Sequence, residues 1–192
     1  PIDTYSGYGA RARDFVKSLV ELNKYDVKIL SQRWGNTTRG FIKDNKEEWG
    51  FLEKLIVPGL QEKPDYWCQI TVPNEFQSVG KYNIGLTAGI ETTNCDIEWI
   101  KGCNRMDLIL TSSEHSKSTF VNSQFQNESN KDDIIRLKKP IEVLFEGGNL
   151  DIYKIIKKFN NKELYNQIDL IEEDFAYLFV GHWMQGSFGH DR

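Results

Sequence analysis

Apolar residues recur along this chain with two periods. Over residues 10–22, Phe15, Val16, Leu19, Val20 and Leu22 fall at helical spacing, which predicts an amphipathic helix. The run YDVKIL (25–30) then reads as a short strand that this helix enters. The polar, glycine-bearing stretch SQRWGNTTRGF predicts a loop. After it, KEEWGFLEKLI sets Trp49, Leu52, Leu55 and Ile56 on one helical face, and Pro58 and Gly59 end that helix. YWCQITVP (66–73), KYNIGLTAGI (81–90) and MDLILTS (106–112) read as strands, the last a compact apolar run of the kind buried on both faces.

The segment ETTNCDIEWIKGCN predicts a helix, and SSEHSKSTFVNS a second one with Ser112 or Ser113 as its cap. Residues 121–135 are polar and Asn-rich and predict a solvent-exposed loop. PIEVLFEGG (140–148) reads as a strand ending in a glycine turn, LDIYKIIKKF as a short helix and DFAYLFVGHW (174–183) as a final strand. Strands alternating with helices imply right-handed βαβ units and a parallel sheet, so the expected class is α/β, a doubly wound, Rossmann-like sheet. In such a sheet a glycine-rich loop follows a first strand, and PIDTYS is too short and polar to be one. At the other end, the strand at 175–180 is followed by a loop where a helix should begin. The expectation is therefore a Rossmann-like domain over 1–172 without its first strand, and only the first strand and loop, 173–192, of a second domain.

Composition narrows the class. No run of about 18 apolar residues occurs in the 192, which leaves no membrane-spanning segment to expect. The net charge of −4 is spread along the chain, against a broad nucleic-acid footprint, and Arg136, Lys138 and Lys139 read as a solvated helix end or loop. Cys68, Cys95 and Cys103 are odd in number with no C-x-x-C pair, which argues against a disulfide framework or a zinc site and for a reducing, cytoplasmic setting. The three histidines do not lie at metal-ligand spacing, so no metal is expected.

The stretch SGYGARARDF carries the most pointed motif. Gly7, Gly9 and Ala12 fit the G-x-G-x-x-G/A spacing that brings a backbone close to a phosphate at a helix start. A dinucleotide site needs an acidic residue at the end of the next strand, about twenty positions on. That strand ends in Leu30, Ser31, Gln32 and Arg33, and Asp26 lies at its beginning. Arg33 suits the 2′-phosphate of NADP instead, which keeps an NADP-dependent oxidoreductase as one alternative. A tight turn with no ligand is another.

Three further segments point elsewhere. GIETTNCDIEWIKGCNRMDLILTSSEHSKSTF resembles the stretch in which GT-B glycosyltransferases of the group-1, family 4-like type carry a strand ending in Glu, a helix with a Trp, and a strand ending in Ser. KKPIEVLFEGGNLDIY is similar to their segment just before the crossing between domains. FAYLFVGHWMQGSFGHDR is similar to the opening strand and loop of their nucleotide-sugar domain. With the glycine loop, the resemblance covers roughly residues 5–20 and 80–192, in the expected order.

The resemblance implies a two-domain hexosyltransferase with its site in the interdomain cleft, the N-terminal domain binding the acceptor. A UDP- or GDP-sugar is the implied co-substrate, with a glycan or other hydroxyl acceptor, retention of configuration, and neither a permanently bound cofactor nor a divalent ion. Peripheral contact with a membrane stays open. Gly7, Tyr8 and Gly9 would face the donor's diphosphate with Arg11 or Arg13 nearby, the alternative for both arginines being an exposed helix face. Arg192 would sit beside the cationic position that grips the diphosphate. His182 stands where similar enzymes often have Arg, a departure that weakens direct charge pairing with phosphate.

Glu91 falls at the carboxyl end of a predicted parallel strand, where open α/β sheets place their ligands. It is the candidate to contact a sugar hydroxyl or assist proton transfer, against the alternative of capping the next helix with Thr92. Ser113, Glu114 and His115 follow the next strand at the same edge and are candidates to touch acceptor or sugar. No G-x-S-x-G elbow surrounds either serine, which excludes a Ser-His hydrolase of that type. Trp34, Trp67 and Trp99 have sugar-stacking faces, but a tryptophan in a domain of this size is more often core, so none is assigned to the site. A non-catalytic carbohydrate-binding or assembly module is the remaining alternative.

Overall fold

In the computed structural model, which describes residues 1–126, 134–156 and 160–178, the chain divides into two units, Pro1–Gly147 and Gly148–Arg192. The first unit opens with helix α1 (Gly7–Leu22), capped by Ser6, whose side chain accepts from the Gly9 N–H. Asn23 ends it in the left-handed conformation at φ 50°. The run 25–30 does not form a strand. Only Ile29 is buried there, and it makes a single parallel bridge to Ile56. Its neighbours Asp26 and Lys28 pair with each other in solvent instead. The loop ends in an unexpected short helix, α2 (Phe41–Asp44), and the helix expected over 46–56 is broken into α3 (Lys46–Trp49) and a 3₁₀ turn, Gly50–Leu55, that begins at the glycine.

The three compact apolar runs form strands β1 (Tyr66–Ile70), β2 (Tyr82–Thr87) and β3 (Leu108–Thr111), separated by a 3₁₀ turn (Pro73–Glu75) and by α4 (Ile97–Cys103). Helix α5 (Glu114–Asn122) follows β3. The Asn-rich stretch predicted to be a loop supplies β4 (Gln124–Gln126) and β5 (Ile134–Arg136), an antiparallel pair in which Phe125 faces Ile135. These two side chains pack against the core, which is why that polar segment holds a hairpin. Strand β6 (Ile141–Val143) completes a four-stranded parallel sheet in the order β1-β2-β3-β6, flanked by helices.

The order advances one way across the sheet. Right-handed crossovers taken in one direction put their connecting elements on one face, and that face holds the larger core: Phe76, Trp99, Ile100, Met106, Ile109 and Phe120. Two glycines let it close. A Cβ at Gly85 would lie 2.5 Å from the Phe76 ring, and one at Gly102 1.8 Å from the Pro73 carbonyl oxygen. Trp67 joins this cluster, whereas Ile70, of opposite parity in β1, joins the other, with Ile2, Ala12, Ile29, Ile42 and Leu52. Burial pushes the Cys68 and Cys103 thiols up to about 12, so both act as small apolar side chains.

The segment before α1 forms no strand of the sheet. Thr4 bridges Arg39 antiparallel, and Ile2 and Thr4 are buried. Arg13 secures them. Its side chain is buried, and its Nη1 donates to the carbonyls of Ile2 and Thr4 at 2.8 Å each, while its guanidinium lies 3.4 Å from the Phe41 ring centroid. The exposed helix face expected for Arg13 is thereby corrected: the guanidinium replaces water at carbonyls that the short segment leaves unpaired.

In the second unit, a turn held by Tyr153 N–H to Asn149 O lies at the start of the stretch predicted as a helix, 150–159, of which 157–159 lie outside the described residues, and α6 (Lys162–Ile168), capped by Asn161, comes later. Asn149 also accepts the Asp151 N–H at its side chain, and this favours the turn over a helix. Residues 175–178 have no strand pairing among the described residues; the rest of the expected final strand lies outside them. No helix among the described residues is long and apolar enough to cross a membrane.

Candidate functional site

The carboxyl ends of β2 and β3 and the start of α1 meet at one edge of the sheet. The Tyr8 hydroxyl accepts the Ala88 N–H at 3.1 Å and lies 3.0 Å from Thr87 Oγ1. Burial, first among its causes, raises the Tyr8 pKa, so the phenol stays neutral and serves as a joint between helix and sheet. Its ring packs on Trp34 with centroids 4.3 Å apart.

The two glycines of the motif have different roles. A Cβ at Gly9 would lie 2.4 Å from the Thr4 carbonyl oxygen, so the close approach it permits is to its own chain. Gly7 has open space around it. The N–H groups of Gly7 and Tyr8, at the first two positions of a 16-residue helix with no acidic residue in its first turn, are left without intrahelical acceptors. Arg11 reaches the strand beyond. Its Nη2 donates to Leu144 O at 2.9 Å, and its Nε, buried without a hydrogen-bond partner, lies 4.0 Å from Glu146 Oε1.

Beside this joint lies a cavity of about 430 Å³ lined by Ala88, Ile90, Glu91, Ser112, Ser113, His115 and Ser116. Of the residues the sequence nominates, Glu91, Ser113 and His115 line it, whereas Thr92 and Glu114 do not. Ser113 is the N-cap of α5, accepting from Ser116 N–H and donating to Ser116 Oγ, both at 3.2 Å. Ser112 donates to the Ala88 carbonyl. The Ser116 hydroxyl lies 3.2 Å from Ile90 N and 3.3 Å from Ile90 O. Ser116 escapes a reading by strand ends because it sits one helical turn further on. The signal is its spacing of three from Ser113, the cap-to-first-turn distance.

His115 Nε2 lies 3.2 Å from both the Glu91 and Thr92 carbonyl oxygens. Carbonyls only accept, so Nε2 carries the proton, and in the neutral form of the ring Nδ1 is the acceptor. The Glu91 side chain is exposed and does not cap the next helix, because Asp96 does so by accepting from Glu98 N–H. Thr92 instead gives its carbonyl to Thr119 Oγ1 at 3.0 Å. Gly89, at φ 94°, lets this loop lie on α5: a Cβ there would be 2.1 Å from Ser116 Oγ.

A second cavity, of about 310 Å³, is lined by Arg33, Gly35, Asn36, Thr37 and Arg39. Of the tryptophans, Trp99 stacks on Phe120 inside the larger core and Trp67 packs at its margin, leaving Trp34 as the one against the helix start. His182 and Arg192 lie outside the described residues. Among the described residues, no group of three or more His, Cys, Asp or Glu is gathered as a metal site would need. Compared with known proteins, the chain matches no family model, no curated protein and no solved structure.

Proposed function

We propose that this chain is the acceptor-side part of a GT-B glycosyltransferase of the group-1 type, moving a hexose from a UDP- or GDP-sugar to a glycan or other hydroxyl acceptor with retention. The observation that carries the reading is the convergence of an unencumbered helix start with a polar cavity holding one carboxylate and one imidazole. Such a reaction breaks the bond between the anomeric carbon and the donor phosphate, and forms one from that carbon to the acceptor oxygen. The hydroxyl proton must leave, and negative charge builds on the departing diphosphate. The Gly7 and Tyr8 N–H groups suit that charge, and Glu91 suits the hydroxyl and its proton. His115 Nδ1 accepts a second sugar hydroxyl in this scheme. A donor-binding domain that begins near residue 173, the doubly wound frame and a cytoplasmic setting belong to the same proposal.

The test is nucleotide release by the full-length protein, given a panel of UDP- and GDP-sugars with hydroxyl acceptors. Release with one donor, reduced about 10²-fold or more by Glu91→Gln, is the expected result. If no donor yields nucleotide with any acceptor, the reading is abandoned in favour of a non-catalytic carbohydrate-binding module.

A further inference from the structure

We propose that the loop at residues 33–39 is a binding site for a tetrahedral oxyanion, a phosphate above all, held between the guanidinium groups of Arg33 and Arg39. The chain has 28 acidic and 24 basic side chains, so a concave surface with two cations and no carboxylate runs against its overall balance. Its lining is Arg33, Gly35, Asn36, Thr37 and Arg39, without an acidic or large apolar side chain. Among the described residues, neither guanidinium has an ion-pair or hydrogen-bond partner.

Asp3 and Asp44, the acids of the supporting segments, are engaged elsewhere. Asp3 accepts from the Gly40 and Ile42 N–H groups at 3.2 and 3.0 Å, and Asp44 accepts from the Tyr5 hydroxyl at 2.8 Å. The loop is also held in shape. Thr37 N–H closes a turn on Trp34 O at 2.9 Å, with Gly35 in the left-handed region at φ 46°. One arm is fixed by Trp34 against Tyr8, and the other by Tyr5 N–H to Thr38 O at 3.1 Å and Gly40 N–H to Asp3 O at 3.0 Å. Arg33 and Arg39, on backbone held in this way, line one cavity with Asn36 and Thr37 and supply donors of the kind that recognise phosphate oxygens. The cavity leaves room for part of the molecule that bears the phosphate.

Through Trp34 and Tyr8 this loop adjoins the sheet-edge cavity, which makes a phosphorylated acceptor the source of the phosphate. That assignment rests on the transferase reading, whereas the anion site itself does not. The experiment is calorimetric titration of the full-length protein with inorganic phosphate and with glucose 6-phosphate, at ionic strength held constant with sodium chloride. Saturable binding of one phosphate, weakened at least about tenfold in Arg33→Gln/Arg39→Gln and unchanged in the equally charged control Arg136→Gln/Lys138→Gln, is the expected result. Glucose 6-phosphate binding more tightly than phosphate assigns a phosphate ester, and equal affinity assigns the free anion. Absence of saturable binding, or equal weakening in the control, overturns the site. Phosphate binding that persists where no nucleotide is released retains the anion site and removes the transferase reading.

Discussion

The two cavities on either side of Tyr8 are built on opposite terms. At the sheet edge, the Ser112, Ser113, Ser116 and His115 side chains all bond within the protein, and the cavity is what remains between a loop and a helix that hold each other. In the loop at 33–39, both arginines line a concavity and have no partner among the described residues. The three serines and His115 Nε2 at the edge are therefore part of the folding structure, and the arginines in the loop are held ready for something outside it. The two regions should respond to mutation in opposite ways, with stability lost at the edge and ligand lost in the loop.

The strongest way to break the edge is Gly89→Ala. The added Cβ meets Ser116 Oγ at 2.1 Å and Thr111 Oγ1 at 2.8 Å, on a backbone at φ 94°. Left-handed strain costs roughly 1–2 kcal/mol and overpacking roughly 1–3 kcal/mol, so urea unfolding should show a loss of about 3 kcal/mol. Adding Ser116→Gly should recover only part of it, because the strained dihedral remains. Full recovery would mean that the contact alone fixes this loop.

Arg13 sharpens the contrast from the arginine side. Arg13→Gln leaves the Ile2 and Thr4 carbonyls without their shared donor and removes the guanidinium from Phe41. A loss of about 2–3 kcal/mol is expected in the same unfolding measurement. An effect under about 0.5 kcal/mol would mean that water reaches those carbonyls and that the N-terminal segment is held by Ile2 packing alone.

These two residues also mark the limits of what the sequence makes legible. Three strands of the sheet are plain from compact apolar runs, and Glu91, Ser113 and His115 follow from reading strand ends as ligand positions. Arg13 is not legible, because a charged residue on a helix reads as solvent-facing unless the carbonyls it satisfies are known. Those carbonyls are in a six-residue segment with no pattern of its own. The hairpin is missed for a related reason: Phe125 and Ile135 pair across a stretch whose composition is polar, and pairing over that distance leaves no local period. The run at 25–30 errs the other way. Its β-rich residues satisfy propensity, but only Ile29 finds a core, and tertiary burial decides.

Tyr8 joins the two regions, and its hydroxyl should matter by a smaller amount. Tyr8→Phe removes the acceptor of Ala88 N–H and a partner of Thr87, an expected loss of about 1 kcal/mol at neutral pH. The pH dependence has a definite sign. The folded-state pKa is raised above the unfolded value of about 10 by burial, so above that pH the unfolded chain gives up its proton before the folded one. The stability tied to this proton is complete below pH 10 and is lost as pH rises through the folded pKa. The difference between wild type and Tyr8→Phe should therefore shrink above pH 10 in urea titrations. A difference that stays flat would place the hydroxyl in solvent.

The smallest effect is expected where the charges are most conspicuous. Arg33→Gln/Arg39→Gln removes two exposed cations that make no bond among the described residues. Loop shape depends on the Thr37 turn, Gly35 and the backbone bonds of Thr38 and Gly40, none of which the substitution touches. Relieving repulsion between two guanidinium groups offsets the small loss of attraction to a chain of net charge −4. Unfolding free energy should change by less than about 0.5 kcal/mol without phosphate. With phosphate, wild type alone should gain stability, because a ligand stabilises only the state that binds it. A large loss in phosphate-free buffer would make the arginines part of the folding structure after all, and the two cavities would then be alike.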